Sequence, residues 1–418
     1  MTTSRSAPHA ADLTDRAAKV LAGGATHAAR SYHPAIHVAR SQGARKWLVD
    51  GRELVDYTMG HGALLLGHAH PAVVDAVQRQ VAMGTHFGAA SLLEVEWAEL
   101  ICAMVASVEQ VRFTASGTEA GMLATRLARN ATGRDVVLKL EEHFHGWYDS
   151  LSVVPGPQGA AVPPPGVPMS VAAATRVVAS GDLAALRAAL ADRTVAAMFI
   201  EASGAHYGRE QLDPAYVRAA ASLCAEHGTL FVVDEVVTGF RVAPGGMQAA
   251  IGVQPDLSTF GKIMAGGLPG GAVGGRRDVM DLLGVAADGD PAPAGPPHIV
   301  HPGTFNANPL SAAAGIATLR LVEDGSAQRT AEAYAMRLEA SIRDALADAG
   351  VAGRVWRLAS IVHCELPEAA MQSGLSSALR EEGVDLLRTS AFCSVVHGDA
   401  ELAWTRAAFD RALRRLPG

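Results

Sequence analysis

Only four lysines occur in this 418-residue chain, Lys19, Lys46, Lys139 and Lys262, so a reaction that needs a lysine amine has four candidates. Lys262 stands apart by its setting, Thr259-Phe-Gly-Lys262-Ile-Met-Ala-Gly266-Gly267, in which apolar residues and glycines flank it. Desolvation lowers an ammonium pKa and frees the amine as a nucleophile. The bland alternative is a surface lysine beside a flexible loop. Ahead of it, Thr229-Leu-Phe-Val-Val-Asp234-Glu235 reads as a buried strand that ends in two carboxylates. Open α/β sheets bind ligands beyond such strand ends. A phosphate-binding Gly-Lys loop would make Asp234 a metal ligand, but Asp256 and Ile263 occupy that pattern's glycine and hydroxyl positions, so it fails. Further upstream, Arg112-Phe-Thr-Ala-Ser116-Gly117-Thr118-Glu119-Ala120 runs from a strand through a Ser-Gly-Thr turn into a helix. The N–H groups of a first helical turn, with two hydroxyls, can hold a phosphate. Ser116 with Glu119 is equally a capping box, which needs no ligand.

The elements that must position these groups follow from periodicity. Short apolar runs at 111–113, 136–140, 196–200 and 230–233 are bounded as buried parallel strands are, and amphipathic segments such as 120–131 and 214–227 separate them. Alternation of this kind implies an α/β class with a mainly parallel, doubly wound sheet. Before it, a helix at 11–22 and two apolar runs around Asp50-Gly51 signal a hairpin. After Thr304, helical periodicity at 311–322 and 327–349, short strands and a last helix near 401–416 read as a smaller α+β domain. The expected division is an N-terminal segment at 1–58, a large domain at 59–304 and a small one at 305–418. Proline and glycine tracts at 155–168 and 288–302 are expected to lack regular structure and to form site or interface loops. Lys19 and Lys46 are expected at the surface, and Lys139 near the sheet edge.

Composition narrows the function. Hydrophobic residues make up 49% of the chain, ample for a core, yet no apolar run approaches the roughly 18 residues of a membrane span. A net charge of -7 without a basic block argues against nucleic acid. Cys102, Cys224, Cys364 and Cys393 form no CxxC pair, which argues against disulfides and thiolate zinc, and the His-x-His pairs at 68/70 and 143/145 lack a third ligand at metal spacing. No metal is expected, and with no secretory signal visible the expected location is the cytoplasm.

Phosphate turn, strand-end carboxylate and flanked lysine, in one order, match the demands of pyridoxal phosphate. The chain resembles the class III aminotransferase family, a fold-type I group, and within it the glutamate-1-semialdehyde aminomutase branch. The resemblance rests on Gly67-His-Ala-His-Pro71, the 112–120 motif, Phe144-His-Gly146, Asp234-Glu-Val-Val-Thr-Gly-Phe-Arg241, Thr259-Phe-Gly-Lys262 and Gly303-Thr-Phe-Asn-Ala-Asn-Pro309. It implies that Lys262 forms the Schiff base and that Asp234 pairs with the pyridine nitrogen. Ser116, Gly117 and Thr118 would hold the phosphate, Phe144 would stack on the ring, and Val236 would pack its other face. His145 and Glu201 would sit near the pocket, although Ala202 replaces the proline that follows this glutamate in the family. Thr304 matches a residue that reaches the other subunit's phosphate, which implies a homodimer with shared sites. Arg30 matches a carboxylate-binding arginine of the aminomutase branch, and Arg388 is a second such candidate. His61 falls where that branch has tryptophan, Phe392 where it has a pocket glutamate, and 155–159 does not reproduce its serine-containing loop. The departures favour an aminotransferase acting on a small amino donor and oxo acceptor over a 2,1-aminomutase.

Overall fold

The computed structural model describes residues 10–27, 30, 32, 35–156, 161–284, 297–388 and 390–416. The chain forms two units, one of Ala72–Gln328 and one of Met1–Pro71 with Arg329–Gly418. The joins expected at 58/59 and 304/305 thus fall elsewhere, at 71/72 and 328/329. Packing explains the second shift. Helix Pro309–Val322 lies so close to the larger unit's interior that a Cβ on Gly315 would come within 2.5 Å of Trp97 Nε1 and 2.6 Å of the Met264 carbonyl.

The larger unit is built on seven strands: β1 (Gln110–Thr114), β2 (Val136–Leu140), β3 (Thr175–Val178), β4 (Val195–Ile200), β5 (Leu230–Asp234), β6 (Leu257–Gly261) and β7 (Gly271–Gly275). Their order is β1-β7-β6-β5-β4-β2-β3. All run parallel except β7, which is antiparallel to both neighbours. β4 and β6 are buried along their whole length, as expected where helices cover both faces. β7 was hidden in the sequence by its glycines, which ordinarily mark loops. Here they admit close backbone: a Cβ on Gly271 would lie 2.3 Å from the Ser116 carbonyl, and one on Gly275 2.3 Å from that of Asp256. The close approach at Gly271 seats the turn after β1 beside the end of β6.

The smaller unit carries a four-stranded sheet and a three-stranded one. The Asp50-Gly51 hairpin is present, with Arg45–Leu48 antiparallel to Glu53–Asp56, and Val384–Asp385 adds in parallel to the latter. Lys46 departs from expectation. It is buried, with Nζ 3.1 Å from Asp56 Oδ1 and also bonded to the Asp385 carboxylate, which lies on that third strand. Two short strands also correct the reading of the first proline tract: Val154–Pro155 pairs antiparallel with Ala161–Val162. Residues 157–160 of that tract, and 288–296 of the second, lie outside the described residues. Among the described residues no helix is long and apolar enough to cross a membrane.

Candidate active site

Four chain segments leave the sheet at one edge, because β1, β4, β5 and β6 all point the same way. Ser116 follows β1, Glu201 follows β4, Asp234 ends β5 and Lys262 follows β6. The parallel register Val233↔Ile200 makes Asp234 and Glu201 neighbours across the ladder, and Asp234 itself pairs with Thr259. Strand alternation then separates the two adjacent carboxylates of the motif. Glu235 faces away and is consumed structurally, accepting the Gln248 N–H at 2.8 Å and the Met247 N–H at 3.0 Å, with the Thr238 hydroxyl bonded as well.

At the turn after β1 the expected cap forms without the reciprocal bond of a capping box, because Glu119 reaches the N–H of Ala115 rather than that of Ser116. Ser116 is the N-cap of helix Gly117–Thr132, taking the Glu119 N–H at 3.2 Å, while Glu119 Oε2 takes the Ala115 N–H at 2.9 Å. The first-turn N–H groups of Gly117 and Thr118 lie ahead of any carbonyl that could accept them within the helix. Two glycines hold space around them. A Cβ on Gly117 would lie 2.8 Å from Val236 Cγ2, and one on Gly146, whose φ is +100°, would lie 2.9 Å from both Cα and Oγ1 of Thr118. Val236 itself is half-buried between Gly117 and Gly261.

Electrostatics separate the titratable groups. Asp234 Oδ2 is 2.8 Å from His145 Nδ1, and Oδ1 accepts the Val236 N–H at 3.0 Å. Burial lowers the imidazole pKa of His145, and the Asp234 carboxylate only partly opposes that. Glu201 accepts the Phe144 N–H at 2.8 Å and the Tyr207 N–H at 3.4 Å. Burial pushes its pKa up to about 8; the Phe144 N–H pulls back, and the charge of Asp234 pushes up again. Lys262 is lowered by burial against the attraction of Asp234 and Glu201, with Arg241 adding to the drop. It also sits at φ +53°, a left-handed conformation uncommon outside glycine and often found where function over-determines the backbone. The turn it opens is tied down by Trp97 Nε1, which donates to the Met264 carbonyl at 3.0 Å.

Phe144 presents its ring to solvent, 60% exposed, although its backbone is held by Glu201. Thr304 is exposed, with its carbonyl accepting from His86 Nε2 at 2.5 Å, and the cap of helix Pro309–Val322 is Asn308. Arg30, His61 and Arg388 belong to the other unit. Arg30 is exposed and donates to Thr26 Oγ1 at 3.3 Å; His61, at φ +58°, has its ring 5.1 Å from that of His27; Arg388 is exposed at φ +57°. Lys139 is spent on structure, its Nζ donating to the Leu151 carbonyl at 3.2 Å. Two contributors escaped the sequence reading. His143 accepts the Glu201 N–H at 3.0 Å, where the sequence offered only a His-x-His pair, and Gly146 cradles Thr118.

A family model, aminotransferase class III, matches residues 26–416. The chain belongs to that family. The glutamate-1-semialdehyde 2,1-aminomutase of Chloroflexus aurantiacus is 44% identical over 320 residues, covering 74% of this chain and 70% of that one. Among solved structures, an omega-transaminase from Sphaerobacter thermophilus superposes with TM-score 0.90 at 33% identity over 97% of each chain. A glutamate-1-semialdehyde aminomutase from Pseudomonas aeruginosa does so at 0.87 and 25% identity, over 98% of this chain and 95% of that one. Class III aminotransferases share fold type I, the mainly parallel sheet with a smaller second unit found here, and they depend on pyridoxal phosphate. The residues present fit that group. A phosphate suits the first-turn N–H groups of Gly117 and Thr118 beside Gly146, a basic ring nitrogen suits the buried Asp234 carboxylate, and an aldehyde suits an amine with a lowered pKa.

Proposed function

We propose that the chain is an aminotransferase, moving an amino group between an amino compound and an oxo acceptor. What carries the reading is the gathering of Lys262, Asp234, Glu201 and the Ser116-Gly117-Thr118 turn at one edge of one sheet, together with the likeness to the Sphaerobacter thermophilus transaminase. Pyridoxal phosphate, when bound, supplies a carbonyl carbon for amine exchange and a ring that accepts electron density from the substrate. The chain supplies the rest. Lys262 Nζ holds the cofactor, and its lowered pKa leaves a free amine that takes the proton from the carbon bearing the substrate nitrogen and delivers it again. Asp234, steadied by His145, accepts the ring N–H. Ser116, Gly117 and Thr118 hold the phosphate, while Phe144 and Val236 cover the two ring faces.

Two copies complete each other's sites in this reading, Thr304 of one reaching the phosphate held by the other. Arg30 offers its guanidinium to a substrate carboxylate, with His61 and Arg388 lining the substrate side.

A second reading, an aminomutase that shifts the amino group within one molecule, is favoured by the names of the Chloroflexus and Pseudomonas relatives. The resemblance places a pocket glutamate of that branch at Phe392. Here that residue is fully buried, its ring 2.8 Å from where a Cβ on Gly62 would lie, so no carboxylate is present there to retain a second amine. The test is a panel of amino donors with a 2-oxo acid acceptor. Release of a separate oxo product with conversion of the cofactor to its amine form supports transfer, and isomerisation of a single substrate without an acceptor supports the mutase.

A further inference from the structure

The segment that follows β2 crosses the end of β4 to reach the end of β5, and three successive residues make its contacts. His143 Nδ1 accepts the N–H of Glu201 at 3.0 Å. Phe144 returns the bond, its own N–H donating to Glu201 Oε1 at 2.8 Å. His145 Nδ1 then bonds Asp234 Oδ2 at 2.8 Å. The first two bonds are reciprocal, side chain to backbone in each direction, and close a clasp between the segment and the β4 end.

His143 is suited to nothing but holding. Because Nδ1 accepts a backbone N–H, it carries no proton, and the neutral ring keeps its one proton on Nε2. A proton added to Nδ1 would face the Glu201 N–H. The ring is 2% exposed, and its Nε2 has no hydrogen-bond partner among the described residues. Burial, with His145, Lys139 and His206 nearby, holds its pKa well below the usual histidine value. A group locked neutral, with its only accepting nitrogen committed, exchanges no proton with a substrate.

We propose that His143 is a positioning residue for the cofactor site, fixing the Glu201 backbone and through the clasp the Phe144 ring and the His145–Asp234 pair. The proposal rests on the cofactor assignment above but not on the choice between transfer and isomerisation. Removing the imidazole leaves the buried Glu201 N–H without an acceptor and frees the segment that carries the stacking ring.

The test compares wild-type protein with His143→Leu and His143→Asn, whose side-chain oxygen can still accept the Glu201 N–H. Apoprotein is titrated with pyridoxal phosphate by visible absorbance, and the circular dichroism of the bound cofactor is recorded. In His143→Leu the dissociation constant is expected to rise about tenfold, the equivalent of one buried donor left unmet. Its cofactor dichroism should weaken as well, and His143→Asn should recover most of both. An unchanged dissociation constant and dichroism in His143→Leu, or an asparagine variant no better than the leucine one, overturns the proposal. If His143→Leu does not fold, His143→Ala takes its place with the same two results. Failure of the wild-type protein itself to bind pyridoxal phosphate would instead contradict the cofactor assignment.

Discussion

His145 Nδ1 and Asp234 Oδ2 lie 2.8 Å apart, and the imidazole's other nitrogen has no hydrogen-bond partner among the described residues. A carboxylate only accepts, so Nδ1 carries the proton and donates it. With burial holding the imidazole pKa down, the ring is neutral, and the Asp234 charge is oriented rather than cancelled. That is the state needed to stabilise a protonated ring nitrogen.

Asp234→Asn is therefore expected to retain cofactor and lose turnover. A neutral amide cannot hold the ring proton, and losing a charge of this kind costs several kcal/mol in the transition state, about a hundredfold or more in rate. Steady-state kinetics on the cofactor-saturated variant check it; turnover near wild type would refute the assigned role.

Glu201 makes a pH prediction with a definite sign. Its folded pKa, about 8, lies above the ordinary 4.5, so between those values the folded chain binds more protons than the unfolded one. Its contribution to stability is intact below pH 4.5 and is lost as pH rises through about 8. Melting temperatures measured from pH 5 to 8 should fall more steeply for wild type than for Glu201→Gln. Parallel curves would show that this carboxyl does not titrate as the site geometry requires.

Lys46 joins Asp56 and Asp385, two carboxylates buried to 1% and 0% exposure. Lys46→Met leaves both without their shared cation, a loss of about 3–5 kcal/mol by the usual cost of breaking a buried pair. Urea unfolding should register it, and a change below about 1 kcal/mol would mean that the Arg380 guanidinium, whose Nη1 lies 3.9 Å from Asp385 Oδ1, already holds that charge.

Shared sites can be tested by mixing. Lys262→Ala subunits and Thr304→Trp subunits are each expected to be inactive, yet a mixed dimer retains one intact site. Random reassociation should restore about a quarter of wild-type activity if each site takes its threonine from the other subunit. Mixed dimers that stay as inactive as their parents contradict the arrangement.

The sheet and the three central groups were legible because each is a local signal: an apolar run with a carboxylate at its end, a Ser-Gly-Thr turn, a lysine between glycines. What escaped notice depends on distant partners. Lys46 looks like a hairpin surface residue until Asp385, 339 positions on, is brought beside it by parallel pairing. His143 reads as half of a metal-like pair because its bond to Glu201 spans 58 residues. β7 carries no apolar signal of its own because its glycines answer to the backbone of Ser116 and Asp256.

The most direct measurement is reduction of the purified, cofactor-bound protein with borohydride, followed by peptide mapping. Of the four lysines, only Lys262 combines a lowered pKa with a place at the sheet edge shared by Asp234 and the Ser116 turn, so the label is expected on its peptide. Lys139 is the control, since it too is buried with a lowered pKa but donates to the Leu151 carbonyl. Label on the Lys139 peptide, or none at saturating cofactor, would contradict the assignment of the site.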